Sequence, residues 1–130
     1  MAIDKRPPGA GDLTFELGGE TLILRRSLGA LIAFNQYNGR AGIFGVAGRA
    51  GLIDHLGNSD TEAAGFVIRQ GLGLGPSAVK DLEERVFQEG VAAVCRKLIP
   101  WVTSLLSQPA AEGDETGGEG GAGGEENPQR

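Results

Sequence analysis

Apolar and polar positions first alternate along this chain and then change period. Leu13-Thr14-Phe15-Glu16-Leu17 reads apolar, polar, apolar. Gly18-Gly19 (or Gly19-Glu20) supplies a turn, and Thr21-Leu22-Ile23-Leu24 follows as a second short run. Two such runs joined by glycines predict a β-hairpin. A two-stranded hairpin is marginal by itself, so it is expected to lie on helices.

From Arg25 onward the spacing is helical. Ser27 is positioned as an N-cap, and Leu28, Leu31, Ile32 and Asn35 share one face, flanked by Phe34 and Tyr37. Asn38-Gly39 is expected to end that helix. Ile43, Val46, Ala47 and Ala50 outline a further helical face that continues through Leu52, Ile53 and Leu56. Gly42, Gly45, Gly48 and Gly51 weaken it, by up to ~1 kcal/mol each in a helix interior.

The most regular pattern follows. Ser59-Asp60-Thr61-Glu62 has the spacing of a capping box, with Ser59 as expected cap and Glu62 reaching back. Ala64, Val67, Ile68, Gly71 and Leu72 then form one face, and Gly71, Gly73, Gly75 and Pro76 close the element. Val79, Leu82 and Val86 mark the next helix, with a break at Gly90. Val91, Val94, Cys95, Leu98, Val102, Leu105 and Leu106 mark the last, where Pro100 is expected to introduce a kink. The predicted fold is mostly α: a short N-terminal hairpin followed by a small bundle of four to five helices, spanning residues 13–108. Residues 1–12, with Pro7, Pro8, Gly9 and Gly11, read as a flexible arm. Residues 109–130, rich in glycine and glutamate, read as a disordered acidic tail.

Charge sharpens that division. The net charge is −5, and residues 109–130 alone hold six carboxylates against Arg130. The remaining residues carry eleven basic and eleven acidic side chains, so the expected domain is neutral. Neutrality, with dispersed arginines and no basic stripe interleaved with aromatics, argues against nucleic acid as partner. No apolar run approaches a membrane span, and no secretory pattern opens the chain, so a cytoplasmic protein is expected.

Candidate chemistry is sparse. His55, beside Asp54, is the single histidine and Cys95 the single cysteine. One of each cannot make a four-ligand zinc site. His55 lacks a neighbouring nucleophile to serve as general base, and Cys95 lies on an apolar stripe rather than in an electropositive niche. Gly71-Leu72-Gly73-Leu74-Gly75-Pro76 is neither a dinucleotide fingerprint nor a Walker loop. No catalytic, cofactor or metal residue is assigned, and no cofactor is expected. The apolar members of the last helix, Val94, Leu98, Trp101, Val102 and Leu105, are the expected partner-binding residues. Trp101 lies outside the main stripe and is the natural exposed anchor, with core packing as its alternative.

The element order resembles a known family. Gly19-Glu20-Thr21-Leu22 precedes Arg25-Arg26-Ser27-Leu28-Gly29-Ala30-Leu31. A capped helix then carries Asp60 to Leu72, and a Gly75-Pro76 break leads to Val79, Leu82, Val86, Glu89-Gly90 and an apolar helix ending over Leu98–Leu106. This resembles the small tail assembly chaperones of tailed phages, in particular those of gene transfer agents, the phage-like particles of alphaproteobacteria. Phe34-Asn35-Gln36 stands where that family commonly has an acidic residue, and Asn38–Gly51 is richer in glycine. The resemblance implies a non-enzymatic factor that binds the tape-measure protein, helps tail tube protein assemble around it, and is absent from the mature particle. Self-association stays open. The readings from other classes are a small ligand-binding domain or enzyme using His55 and Asp54, and a helical DNA-binding regulator.

Overall fold

A computed structural model describes residues 6–109. The expected acidic tail lies outside the described residues except for Pro109, as do the first five residues of the expected arm.

The hairpin forms as its alternation predicts. β1 (Leu13–Leu17) pairs antiparallel with β2 (Glu20–Leu24), placing Leu13 opposite Leu24 and Leu17 opposite Glu20. Gly18 and Gly19 both have positive φ, the conformation a two-residue turn needs to match the strand twist. Phe15, Leu17, Leu22 and Leu24 point into the core.

Helices follow in the order α1 (Leu28–Asn35), the single turn α2 (Tyr37–Arg40), α3 (Leu52–Gly57), α4 (Thr61–Leu72), α5 (Val79–Glu89) and α6 (Val91–Ser104). A 3-10 turn, Pro76–Ala78, leads into α5. The mostly α bundle with its N-terminal hairpin is therefore the fold. α4 is its centre and touches β2, α1, α3, α5 and α6. Four of its seven buried residues are small: Ala63, Ala64, Gly65 and Gly71. A Cβ on Gly71 would stand 2.7 Å from Leu24 Cβ, so this glycine sets how closely the sheet lies on the helix. The Arg25 N–H donates to the Gly71 carbonyl at 2.8 Å across the same contact. At the other end of the hairpin, Arg85 of α5 donates to the Leu17 carbonyl and to Glu20, and the Gly18 N–H donates to Glu89.

Several local expectations are corrected. The cap of α4 is Asp60, whose Oδ1 accepts from the N–H groups of Glu62 and Ala63 at 2.9 and 3.2 Å. Ser59 instead takes a left-handed backbone, φ 59°, which turns its side chain out of the capping position. The helix expected over 43–56 begins only at Leu52. Gly42, Gly45 and Gly48 all have φ near 80°, a region no α-helix visits, and Val46 bridges Arg49 across a tight turn. A Cβ on Gly51 would lie 2.2 Å from the Gly45 nitrogen, so the two ends of this loop pass backbone against backbone. In α1 the buried residues are Ala30 and Phe34, while Leu28 and Ile32 of the expected face are exposed. The helix is apolar on every side, so periodicity did not select a face; the Ser27 cap, accepting from the Ala30 N–H at 3.1 Å, sets its start as expected. α6 runs on through Pro100, whose missing N–H leaves the Arg96 carbonyl unpaired in the helix at an exposed position.

Candidate partner-binding surface

The last helix does not offer the face expected of it. Val94, Leu98, Trp101, Val102 and Leu105 are all buried among the described residues, within one core cluster that includes α4 and the hairpin. A stripe at helical spacing says that one side of a helix is covered, and here the rest of the chain covers it. These five residues hold the domain together and are corrected as partner contacts.

Trp101 is the clearest case. Its indole N–H donates to the Gly11 carbonyl at 2.9 Å. The ring meets Phe34 edge to face at 6.1 Å between centroids. Phe34 contacts Phe66, which contacts Tyr37, which meets the His55 ring, so aromatic rings pass from α6 through α1, α4 and α2 to α3. The segment expected as a flexible arm is anchored at its C-terminal end by the same contact. Asp12 accepts from the Arg26 and Gly9 N–H groups and pairs with Arg25 at 3.2 Å.

The candidate chemical residues have structural neighbours. Tyr37 Oη lies 2.6 Å from His55 Nδ1. Burial, then the charges of Asp60 and Glu62, push the Tyr37 hydroxyl above its ordinary pKa, so it keeps its proton. The Asp54 carboxylate accepts from the Gly51 N–H at 2.9 Å at the start of α3 rather than orienting His55. Cys95 is buried with its pKa raised by burial and by Asp60. Among the described residues no group of three or more His, Cys, Asp or Glu side chains could hold a metal ion. No helix there is long and apolar enough to cross a membrane.

What the surface does offer is α1. Thirteen consecutive residues, Ser27 to Gly39, carry no charge. Leu28 is 70% exposed and Ile32, one turn on, 46%. A hollow of about 380 Å³ adjoins Leu28, lined by Ala10, Arg26, Ser27, Leu28, Leu31, Leu105 and Pro109. Phe44 and Val46 stand out from the glycine loop, and Leu106 is half exposed beyond α6. The signal for this surface was present in the sequence. A helix that is apolar all round belongs in an interior, yet α1 packs on the core with one side only. Comparison with family models, curated proteins and solved structures returns no match.

Proposed function

We propose that this protein is a non-enzymatic, phage-like tail assembly chaperone that binds a tape-measure protein and assists assembly of the tail tube. The element order of residues 13–106 supports the family, and the uncharged outer side of α1 supports the mode of action. That side is the observation that carries the reading: Leu28 and Ile32 lie exposed one helical turn apart. Covering a Leu or Ile fully is worth about 1.5–3 kcal/mol per side chain, so a client helix packing there gains from both. Tape-measure proteins are long, helical and apolar, and need such cover before a tube encloses them. Repeated copies along one client would add avidity without further contacts.

The test is co-expression with a tape-measure protein from the same genome. The client should stay soluble and co-purify only when this chain is present. A client equally soluble without it, or one that never co-purifies, would rule the function out.

A further inference from the structure

A chemical feature independent of the chaperone reading lies in α2. Asn38-Gly39 is the single Asn-Gly pair of the chain. In such a pair the glycine nitrogen can attack the asparagine Cγ, because no side chain on the second residue crowds the approach. Here the backbone opposes that attack. Asn38, Gly39 and Arg40 are consecutive left-handed residues, with φ of 53°, 65° and 72°. A left-handed residue holds its Cβ beside its own carbonyl oxygen. The Asn38 Cβ, and Cγ with it, is thus held on the far side of the carbonyl carbon from the Gly39 nitrogen. Ring closure requires that peptide to turn about the Asn38 Cα–C bond. Three hydrogen bonds fix it: the Ala41 N–H donates to the Asn38 carbonyl at 3.3 Å, the Arg49 guanidinium to the Gly39 carbonyl at 2.8 Å, and the Asn38 side-chain amide to the Ala50 carbonyl at 2.9 Å. Asn38 and Gly39 are exposed, so water reaches them.

We propose that Asn38 is a site of spontaneous deamidation, held off by the clasp of Arg49 and Ala50 on the Asn38-Gly39 turn and released when that loop opens. The Gly39 nitrogen forms a bond to the Asn38 Cγ, the Cγ–Nδ2 bond breaks, and ammonia leaves with the proton that the nitrogen gives up. Water then opens the cyclic imide at one carbonyl or the other, leaving aspartate or isoaspartate. No oxidation state changes, and water is the sole co-reactant. Either product replaces the donor facing the Ala50 carbonyl by a carboxylate that repels it. The isoaspartyl form also routes the main chain through the side-chain carbon, a path the turn is not built for. The change runs one way and unties the glycine loop from α2. Asn35 and Asn58 are poorer sites, since Gln36 and Ser59 carry side chains. Asn127 precedes Pro128, whose nitrogen has no proton to give up.

The experiment incubates the full chain in mildly alkaline buffer, folded and in urea, and follows each asparagine by peptide mass mapping with isoaspartate detection. In urea Asn38 should react ahead of Asn35 and Asn58. In the folded chain it should react about tenfold more slowly, because the reaction waits on local opening. Arg49→Ala removes the bond to the Gly39 carbonyl and leaves the reacting atoms in place. It should speed the folded-state reaction several-fold and leave the rate in urea unchanged. Should that variant unfold, wild type in sub-denaturing urea replaces it: the Asn38 rate should rise in step with amide exchange at Ala41, whose N–H bonds the Asn38 carbonyl. Four results would each overturn the proposal: equal Asn38 rates folded and in urea; a folded Arg49→Ala variant that reacts no faster than wild type; an Asn38 rate that does not follow exchange at Ala41; and another asparagine leading the reaction in urea.

Discussion

Trp101 and Gly11 are ninety residues apart, yet the indole N–H of one donates to the carbonyl of the other at 2.9 Å. The contact joins the last helix to the segment before the first strand. It places the largest side chain of α6 under that segment instead of in solvent.

Trp101→Phe keeps most of the apolar contact with Phe34 and removes the donor. It should cost about 1–2 kcal/mol, the range for leaving a partly buried carbonyl unpaired. Trp101→Ala should cost about 3–5 kcal/mol. Urea denaturation followed by circular dichroism measures both. A loss below ~0.5 kcal/mol for alanine would mean the ring is not part of the core.

Asp12 ties the same segment to Arg25 and Arg26, just after β2, and should make stability pH-dependent. Burial alone would raise its pKa, but the N–H groups of Gly9 and Arg26 and the Arg25 side chain outweigh it, and the net shift is downward. A carboxylate with a lowered folded pKa stabilises above its unfolded value, near ~3.9, and loses that contribution as pH falls through the folded one. Asp12→Asn should therefore destabilise by about 1–2 kcal/mol near neutral pH. The gap between variant and wild type should shrink below about pH 4. Urea midpoints measured across that range decide it, and a gap independent of pH would show that the ionised form is not what matters.

The glycine loop makes a sharper comparison. Gly48 has φ 79° with open space where a Cβ would go, so Gly48→Ala should cost only the left-handed penalty, about 1–2 kcal/mol. Gly51 has an ordinary backbone, but its Cβ would meet backbone atoms of Phe44 and Gly45 at 2.5 and 2.2 Å. Neither atom can rotate away, so Gly51→Ala should cost about 3 kcal/mol or more. Equal effects in thermal melts would mean the loop rearranges freely.

This loop also shows where the sequence stops being legible. Apolar residues at 43, 46, 47 and 50 have helical spacing, and only the backbone conformation demanded by the glycines contradicts it. The hairpin was readable because alternation and turn chemistry agree, and α4 because stripe and terminal glycines agree, although its cap falls one residue later than the capping-box spacing placed it. Gly73, at φ 71°, ends α4 as the glycine run suggests. The face of α1 was not readable, since a helix apolar all round gives periodicity nothing to choose. The burial of Trp101 was not readable either, because what covers it is the segment around Gly11, which local spacing cannot bring near.

The same distinction separates surface from core in the last prediction. Leu28 and Ile32 are exposed, so Leu28→Asp with Ile32→Asp should change stability by no more than about 0.5 kcal/mol per site. If α1 is the client-binding side, the pair should nonetheless abolish solubilisation of a co-expressed tape-measure protein, because two carboxylates would be forced into an apolar contact. Leu98→Ala should do the reverse. Leu98 is fully buried, so the variant should lose about 2–5 kcal/mol of stability. Below its melting temperature, the fraction that remains folded should still hold the client. Solubilisation is therefore to be scored per folded molecule, with circular dichroism fixing the folded fraction. Should the α1 variant solubilise the client as well as wild type while the folded Leu98 variant fails, client contact lies elsewhere than on the uncharged side of α1.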